Sequence, residues 1–479
     1  MKITIPIRML GILILILAGC TSGSIDGNPV CGDSICSESE DMGSCPQDCS
    51  HTPISGEIYT TFITSEGIGK LAILVAYPSQ PRFAEGAGVV VVIPPFLTEQ
   101  TGFTTQPDFT SIGLIQINFL WPGATDKQFD HSSEGEYDYG GEIALQALRD
   151  VLKFATGRLP NEDGRLITTL LPVKPLVDEV GIFSYDQAGI AATNVLGIYG
   201  SELDGLEYLV GFENPTSDTL ATLEVGYIDG SGLIQQNPFY QYPASYSQTE
   251  ISLNFGTVQW NPQFSEDSTL LVGGPYLDLD GNSIFNDDDF AFTEDIPIVA
   301  GKRFYSPALT QALLDTGALT RSDWPEDLAT PEESTTFWSS RQSIQRYMDF
   351  ILQSPNLKVM LVFANRDHAQ AAADKPHIHQ AFQGFRFAAL LRWVRLNPDR
   401  AYMQQATGMF RFLYPDNPAN TQPTDWLEIA GWAYDGESVT WQVASLAALA
   451  EMSDRAHTGR WDENLGSTLY QYMPETPTP

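Results

Sequence analysis

A carboxylate stands in the middle of "GIFSYDQAG" (181–189), where an apolar β-rich run meets a tight turn and then a small-residue helix. At such a junction Asp186 heads a helix, whose N-terminal dipole stabilises an anion. A carboxylate held there can attack an electrophilic carbon or take a proton from water. Both uses need a partner that moves protons. Of the chain's 6 histidines, His368, His377 and His379 crowd into "RDHAQAAADKPHIHQ", just after an apolar run that ends near Asp367, while His51, His131 and His457 lie far from it in sequence. The plainer reading of His377 and His379 is the first turn of a helix behind Pro376, and that of Asp367 and His368 is a solvated strand-end turn.

A second constellation points to a cation. "DLDGNSIFNDDD" puts oxygen donors at Asp278, Asp280, Asn282, the Ile284 carbonyl, Asn286 and Asp289, the spacing of positions 1, 3, 5, 7, 9 and 12 in an EF-hand-type loop. Calcium takes roughly six to eight hard oxygens, and close carboxylates tolerate each other when a cation lies between them. Gly281 falls at position 4 rather than 6, and position 12 is Asp rather than Glu. An acidic turn in an acidic chain is the competing reading. The expected cofactor is calcium in a structural role, because no hydrolytic group accompanies it.

These residues need a scaffold. Two β-rich runs around "SEGIGK" predict a hairpin over 56–79, and the wholly apolar "GAGVVVVIPPF" (86–96) predicts a strand buried on both faces. "IGLIQINFLWPG" (112–123) and "LEYLVGFENP" (206–215) predict two more strands. Asp138 caps a helix that Gly157 ends, and a second helix follows Asp186. From 216 to 330 the chain is rich in Gly, Pro, Asn, Asp and Tyr without helical period. Thr330, Pro331 and Glu333 then start a helix, "NLKVMLVFANRDHAQ" (356–370) forms a strand, a helix runs from about 378 to 396, "RAYMQ" gives a short strand, and "WQVASLAALAEM" forms a late helix. The expected class is α/β: a mostly parallel sheet with helices on both faces and a β- and loop-rich insertion.

This order of elements resembles the α/β-hydrolase fold over roughly residues 56–215 and 330–405, with a layout also similar to its dienelactone-hydrolase and dipeptidyl-peptidase branches. That family's elbow has the form small-x-nucleophile-x-small, which Ser184, Asp186 and Ala188 match, whereas G-x-S-x-G is absent from the chain. The resemblance therefore implies an Asp nucleophile, as in the haloalkane dehalogenase and epoxide hydrolase branches. There a carboxylate forms an ester that a His-activated water hydrolyses. By the same resemblance the Gln187 backbone N–H supplies one oxyanion donor. Phe96 supplies the other, since Pro94 and Pro95 have no N–H. Asp367 becomes the orienting acid. The usual place for the base, 404–415, holds no His, so His377 or His379 would serve. Gln187 stands where those branches carry Trp, and "IPPF" replaces their H-G-x-P. Three functions follow: a hydrolase acting through Asp186, an inactive hydrolase fold that binds a small-molecule, ester or glycan ligand or a partner through the insertion, or a serine- or other-type hydrolase whose elbow lies elsewhere in the chain.

Export is legible at the N-terminus. Lys2 and Arg8 precede a short apolar run that ends in "LAGC", which resembles the prokaryotic lipobox. This implies lipidation of Cys20 and attachment to a membrane at the cell surface or in the periplasm. Cys31, Cys36, Cys45 and Cys49 then fit two disulfides with three possible connectivities, a zinc knuckle being the alternative. With 60 acidic and 25 basic residues the net charge is −35, which repels phosphate backbones and excludes nucleic acid as a partner. A hydrophobic content of 43% excludes a disordered chain. The expected organisation is a signal peptide (1–20), a cysteine module and linker (21–55), a core in two parts (56–215 and 331–472) around the insertion (216–330), and a polar tail (473–479).

Overall fold

The computed structural model describes residues 55–229, 232–241, 244–245, 250–264, 273–293, 295–366, 372–388, 393–407 and 429–461. Cys20, the four later cysteines, His51, Asp367 and His368 lie outside them. Eight strands form the main sheet: β1 (Glu57–Ser65), β2 (Gly69–Tyr77), β3 (Ala87–Val92), β4 (Ile115–Phe119), β5 (Pro175–Tyr185), β6 (Leu206–Phe212), β7 (Lys358–Val362) and β8 (Val394–Leu396). Their order is β1-β2-β4-β3-β5-β6-β7-β8. β2 is antiparallel to both neighbours, and every other pairing is parallel. Strand order and direction together define an α/β-hydrolase-like sheet.

Burial on both faces explains why β3 reads as an unbroken apolar run. Val89 and Val91 face α1 (Glu142–Ala155) and α2 (Ala188–Tyr199), with Ile182 of β5 beside them. Val90 and Val92 face the opposite layer, whose main helix spans Trp441–Thr458. Asp138 acts as the expected cap at a distance, its carboxylate accepting from the Gly141, Ile143 and Ala144 N–H groups. Between β6 and β7 lie α3 (Pro307–Asp315), α4 (Pro331–Trp338), a three-stranded antiparallel sheet and a separate core around Val258, Leu277, Tyr305 and Leu309. Thr330 and Glu333 form the reciprocal capping box at the start of α4.

Two expectations near the C-terminus are corrected. The helix predicted to 396 is α5 (Pro376–Ala388), and Val394–Leu396 is instead β8, because these residues pair in register with Val359–Leu361. "RAYMQ" is helical in α6 (Arg400–Thr407), since Asn397 takes a positive φ, Pro398 follows it, and the Asp399 carboxylate accepts from the Ala401 N–H. The Trp441–Thr458 helix is α7.

Glu224 ties the start of the insertion to the start of α3. Its fully buried carboxylate accepts from the Ser306 N–H (2.8 Å), the Ser306 hydroxyl (2.6 Å) and the Thr222 hydroxyl (2.8 Å). Burial lifts its pKa from 4.5 to about 8, against the pull of those donors. Between these pH values the folded protein keeps a proton that the unfolded chain has lost, so stability falls as pH rises. We expect a loss on the order of 5 kcal/mol across that window, by denaturant titration, and a flatter profile in Glu224→Gln. An unchanged slope in that variant would assign the pH dependence elsewhere.

Candidate active site

The elbow forms where β5 ends at Tyr185 and α2 begins at Ala188. Asp186 has φ +46°, a left-handed conformation that non-glycine residues seldom adopt. Its N–H donates to the Phe212 carbonyl at 2.9 Å, and its carbonyl accepts from Gly189 N–H at 2.9 Å. The crowding that demands small neighbours comes from Asn214. A Cβ on Gly189 would lie 2.0 Å from the Asn214 side chain, and Asn214 Nδ2 donates to the buried Ser184 hydroxyl at 2.8 Å. Positions 184 and 189 are thus constrained by one side chain, while Ala188 packs into the core. Asp186 and Gln187 are half-buried at the surface of this turn.

Neither the Gln187 nor the Phe96 backbone N–H has an acceptor among the described residues. The Gln187 side chain turns aside, donating to the Ala221 carbonyl at 3.3 Å. Phe96 is buried three residues beyond Ile93, whose N–H still bonds to Phe183 of β5.

Of the histidines, the structure brings His377 to a carboxylate that sequence reasoning missed. Glu213, with φ +48°, directly follows β6, and its N–H donates to the Val362 carbonyl. Glu213 Oε1 accepts from Ala364 N–H at 2.6 Å, and Oε2 meets His377 Nε2 at 2.7 Å. Both side chains of this pair are fully buried. Along the chain Glu213 directly follows Phe212, whose carbonyl accepts from the Asp186 N–H. His379 lies two residues further along α5 and so points to the opposite side of that helix. A signal for Glu213 was present: the apolar run of β6 ends in "FENP", an acid at the same sheet edge as the elbow. His131 stacks on Phe62 of β1 at 5.2 Å. His457 stacks on Phe83 and meets Glu179 near the start of β5, away from the elbow.

In the acidic loop the carboxylate oxygens of Asp278, Asp280 and Asp289 lie within 4.8 Å of one another. Asp278 accepts from the N–H groups of Gly281 (2.8 Å) and Ser283 (2.9 Å). Ser283 has φ +56°, so position 6 takes the left-handed turn without a glycine. Asn282 and Asn286 both direct Nδ2 at Asp280, and their amide oxygens accept from the Ile284 N–H (2.6 Å) and the Asp288 N–H (2.9 Å) of the same loop. This all-oxygen donor set fits a hard divalent cation.

No family model matches the sequence, and no curated protein matches it. Solved structures with a similar layout include a hyperthermophilic esterase from the archaeon Pyrobaculum calidifontis, at 12% identity over 35% of this chain and 47% of that one, with a TM-score of 0.25. An esterase of Pyrococcus furiosus aligns at 10% identity over 71% of this chain and 82% of that one, with a TM-score of 0.32. Dipeptidyl peptidase 4 of Porphyromonas gingivalis aligns at 10% identity over 70% of this chain and 30% of that one, with a TM-score of 0.31. The chain spans about half the length of the Pyrobaculum esterase and of an arylesterase also similar to it. Scores this low transfer neither residues nor activity. The α/β-hydrolase-like fold rests on the strand order, and the site rests on its own geometry.

Proposed function

We propose that this protein is a hydrolase in which the Asp186 carboxylate attacks a small-molecule substrate at an electrophilic carbon. The observation that carries this reading is the left-handed apex: a charged residue held at φ +46° between a strand and a helix N-terminus. An Asp186 oxygen forms the new C–O bond as the leaving group departs with its electron pair. Water then attacks the resulting ester carbonyl, giving its proton to His377. With Nε2 engaged by Glu213, Nδ1 is the nitrogen for that role. The oxyanion would meet the Gln187 and Phe96 N–H groups; its collapse expels an alkoxide that takes back the proton held by His377 and leaves as alcohol, and the Asp186 carboxyl loses its proton to solvent and returns as carboxylate. Intact-mass analysis after incubation with epoxide, haloalkane and ester panels tests this reading, native protein against Asp186→Asn. An adduct or turnover confined to the native protein supports it; neither in either protein removes it.

The second reading, a ligand-binding protein on an inactive hydrolase fold, is favoured by the complete burial of Glu213 and His377, which keeps bulk water from the base. The same panel separates the two.

We further propose that the 278–289 loop holds calcium and pins the insertion. Calcium at about 100 times its Kd should then stabilise the protein by ~2.7 kcal/mol, an effect lost in Asp278→Ala. An equal gain in that variant would place the ion elsewhere. No helix among the described residues is long and apolar enough to cross a membrane. The attachment proposed here is lipid on Cys20, with the protein exported to the cell surface or periplasm. Labelling with a palmitate analogue in a prokaryotic host should mark the native protein and fail in Cys20→Ser; label retained by the variant would refute the anchor.

A further inference from the structure

Two groups of one peptide unit, the Pro95 carbonyl and the Phe96 N–H, are handled differently by the fold. The carbonyl accepts from the indole Nε1 of Trp121 at 2.8 Å, while the N–H has no acceptor among the described residues. Trp121 stands two residues beyond β4, and β3 lies between β4 and β5. In a planar trans peptide the carbonyl and N–H point in opposite directions. A carbonyl turned to the β4 side therefore turns the Phe96 N–H to the β5 side, where β5 ends at Tyr185, one residue before Asp186. Pro94 and Pro95 contribute no N–H of their own and restrict φ, so Phe96 is the first donor this turn can offer.

We infer that Trp121 is the positioning residue of the oxyanion site, setting both the direction and the donor strength of the Phe96 N–H. This rests on the reading of Asp186 given above. A hydrogen bond accepted by an amide carbonyl polarises the amide and strengthens its N–H as a donor. Trp121 is fully buried, packed edge-on against Phe119 at 4.7 Å and stacked with Tyr137 at 5.7 Å, so its indole has little freedom to turn away. The Tyr137 hydroxyl donates to the Phe96 carbonyl and fixes the next peptide unit. Gly140 leaves room for this arrangement, since a Cβ there would lie 2.6 Å from the Phe96 ring.

The test reads this peptide directly. Labelling with carbonyl-13C proline and 15N phenylalanine isolates the two Pro-Phe peptides of the chain, Pro95–Phe96 and Pro238–Phe239. In Trp121→Phe the Pro95 carbonyl and Phe96 amide signals should shift, while the Phe239 amide, which donates to Asn237, stays in place as the internal control. Tyr137→Phe should leave the Pro95 carbonyl unmoved. If Trp121→Phe does not fold, 5-fluorotryptophan in place of the 9 tryptophans keeps the ring shape and makes the indole a stronger donor, and the Phe96 signals should move in the opposite sense. On a substrate found with the panel, Trp121→Phe should lower kcat by roughly 10- to 100-fold with KM within about threefold. A Phe96 amide that moves no more than that of Phe239, or a loss confined to KM, would overturn the inference. Failure of the Asp186 reading looks different: native protein without turnover, whatever the Phe96 signals do, in which case the shifts alone decide whether Trp121 sets this amide.

Discussion

Replacing Asp186 by asparagine is expected to lower turnover by about 10⁴-fold or more, in a protein at least as stable as the native one. The chemical half of this expectation is simple, because a neutral amide neither attacks carbon nor takes a proton from water at useful rates. The structural half follows from the backbone. At φ +46° the residue sits where Asn and Asp are tolerated better than other side chains, so the substitution keeps the elbow's geometry. It also removes one carboxylate from a chain of net charge −35, beside a strand end that already carries Glu213. Asp186→Ala behaves differently: it loses the same chemistry and adds roughly 1–2 kcal/mol of backbone strain. Kinetics and thermal melting on the three proteins check both halves. Turnover in Asp186→Asn within tenfold of native would rule out the carboxylate nucleophile. A large drop in its midpoint would show that the charge, rather than the turn, holds the elbow.

Much of the scaffold could be read without coordinates because its signals are local. The unbroken apolar run at Ala87–Val92 declares a strand covered on both faces, and Thr330-Pro331-x-Glu333 declares the start of a helix. The turn at Asp186 was legible for the same reason: its small flanking residues are adjacent in sequence. What escaped is non-local. β8 has only three residues and looks like the end of the preceding helix until its pairing with β7 is known. Glu213 and His377 are 164 residues apart and become a pair only through the strand order that sets β6 beside β7. "IPPF" reads as a turn with a single donor, the Phe96 N–H. It becomes a turn with one oriented donor only when Trp121 appears on the far side of the Pro95 carbonyl.

Asp454→Ala should cost about 3–5 kcal/mol and lower the thermal midpoint by roughly 4–6 °C. Arg82, between β2 and β3, reaches α7 with two parallel hydrogen bonds: Nε to Asp454 Oδ1 at 2.6 Å and Nη2 to Oδ2 at 2.7 Å. Both side chains are almost wholly out of solvent, and Tyr402 of α6 donates to the same carboxylate at 2.8 Å. Burial disfavours the charge on Arg82, yet the charge and hydrogen bonds of Asp454 hold its pKa above the ordinary value. Removing Asp454 leaves that guanidinium buried without its counter-charge, which is the costly way to break such a pair. Replacing both residues, as in Arg82→Met with Asp454→Leu, should recover most of the loss, because desolvation is then no longer opposed by an unpaired charge. Glu162→Ala, which breaks an exposed pair with Lys70, should leave the midpoint almost unmoved. The consequence reaches the site through α7 itself. Its first residue, Trp441, packs against Tyr185 at 4.7 Å, one position before Asp186. A variant that loosens α7 at Asp454 should therefore also loosen the elbow. Hydrogen exchange at 185–190 should rise in Asp454→Ala and return toward native in the double variant. Unchanged exchange there would confine the pair's role to global stability.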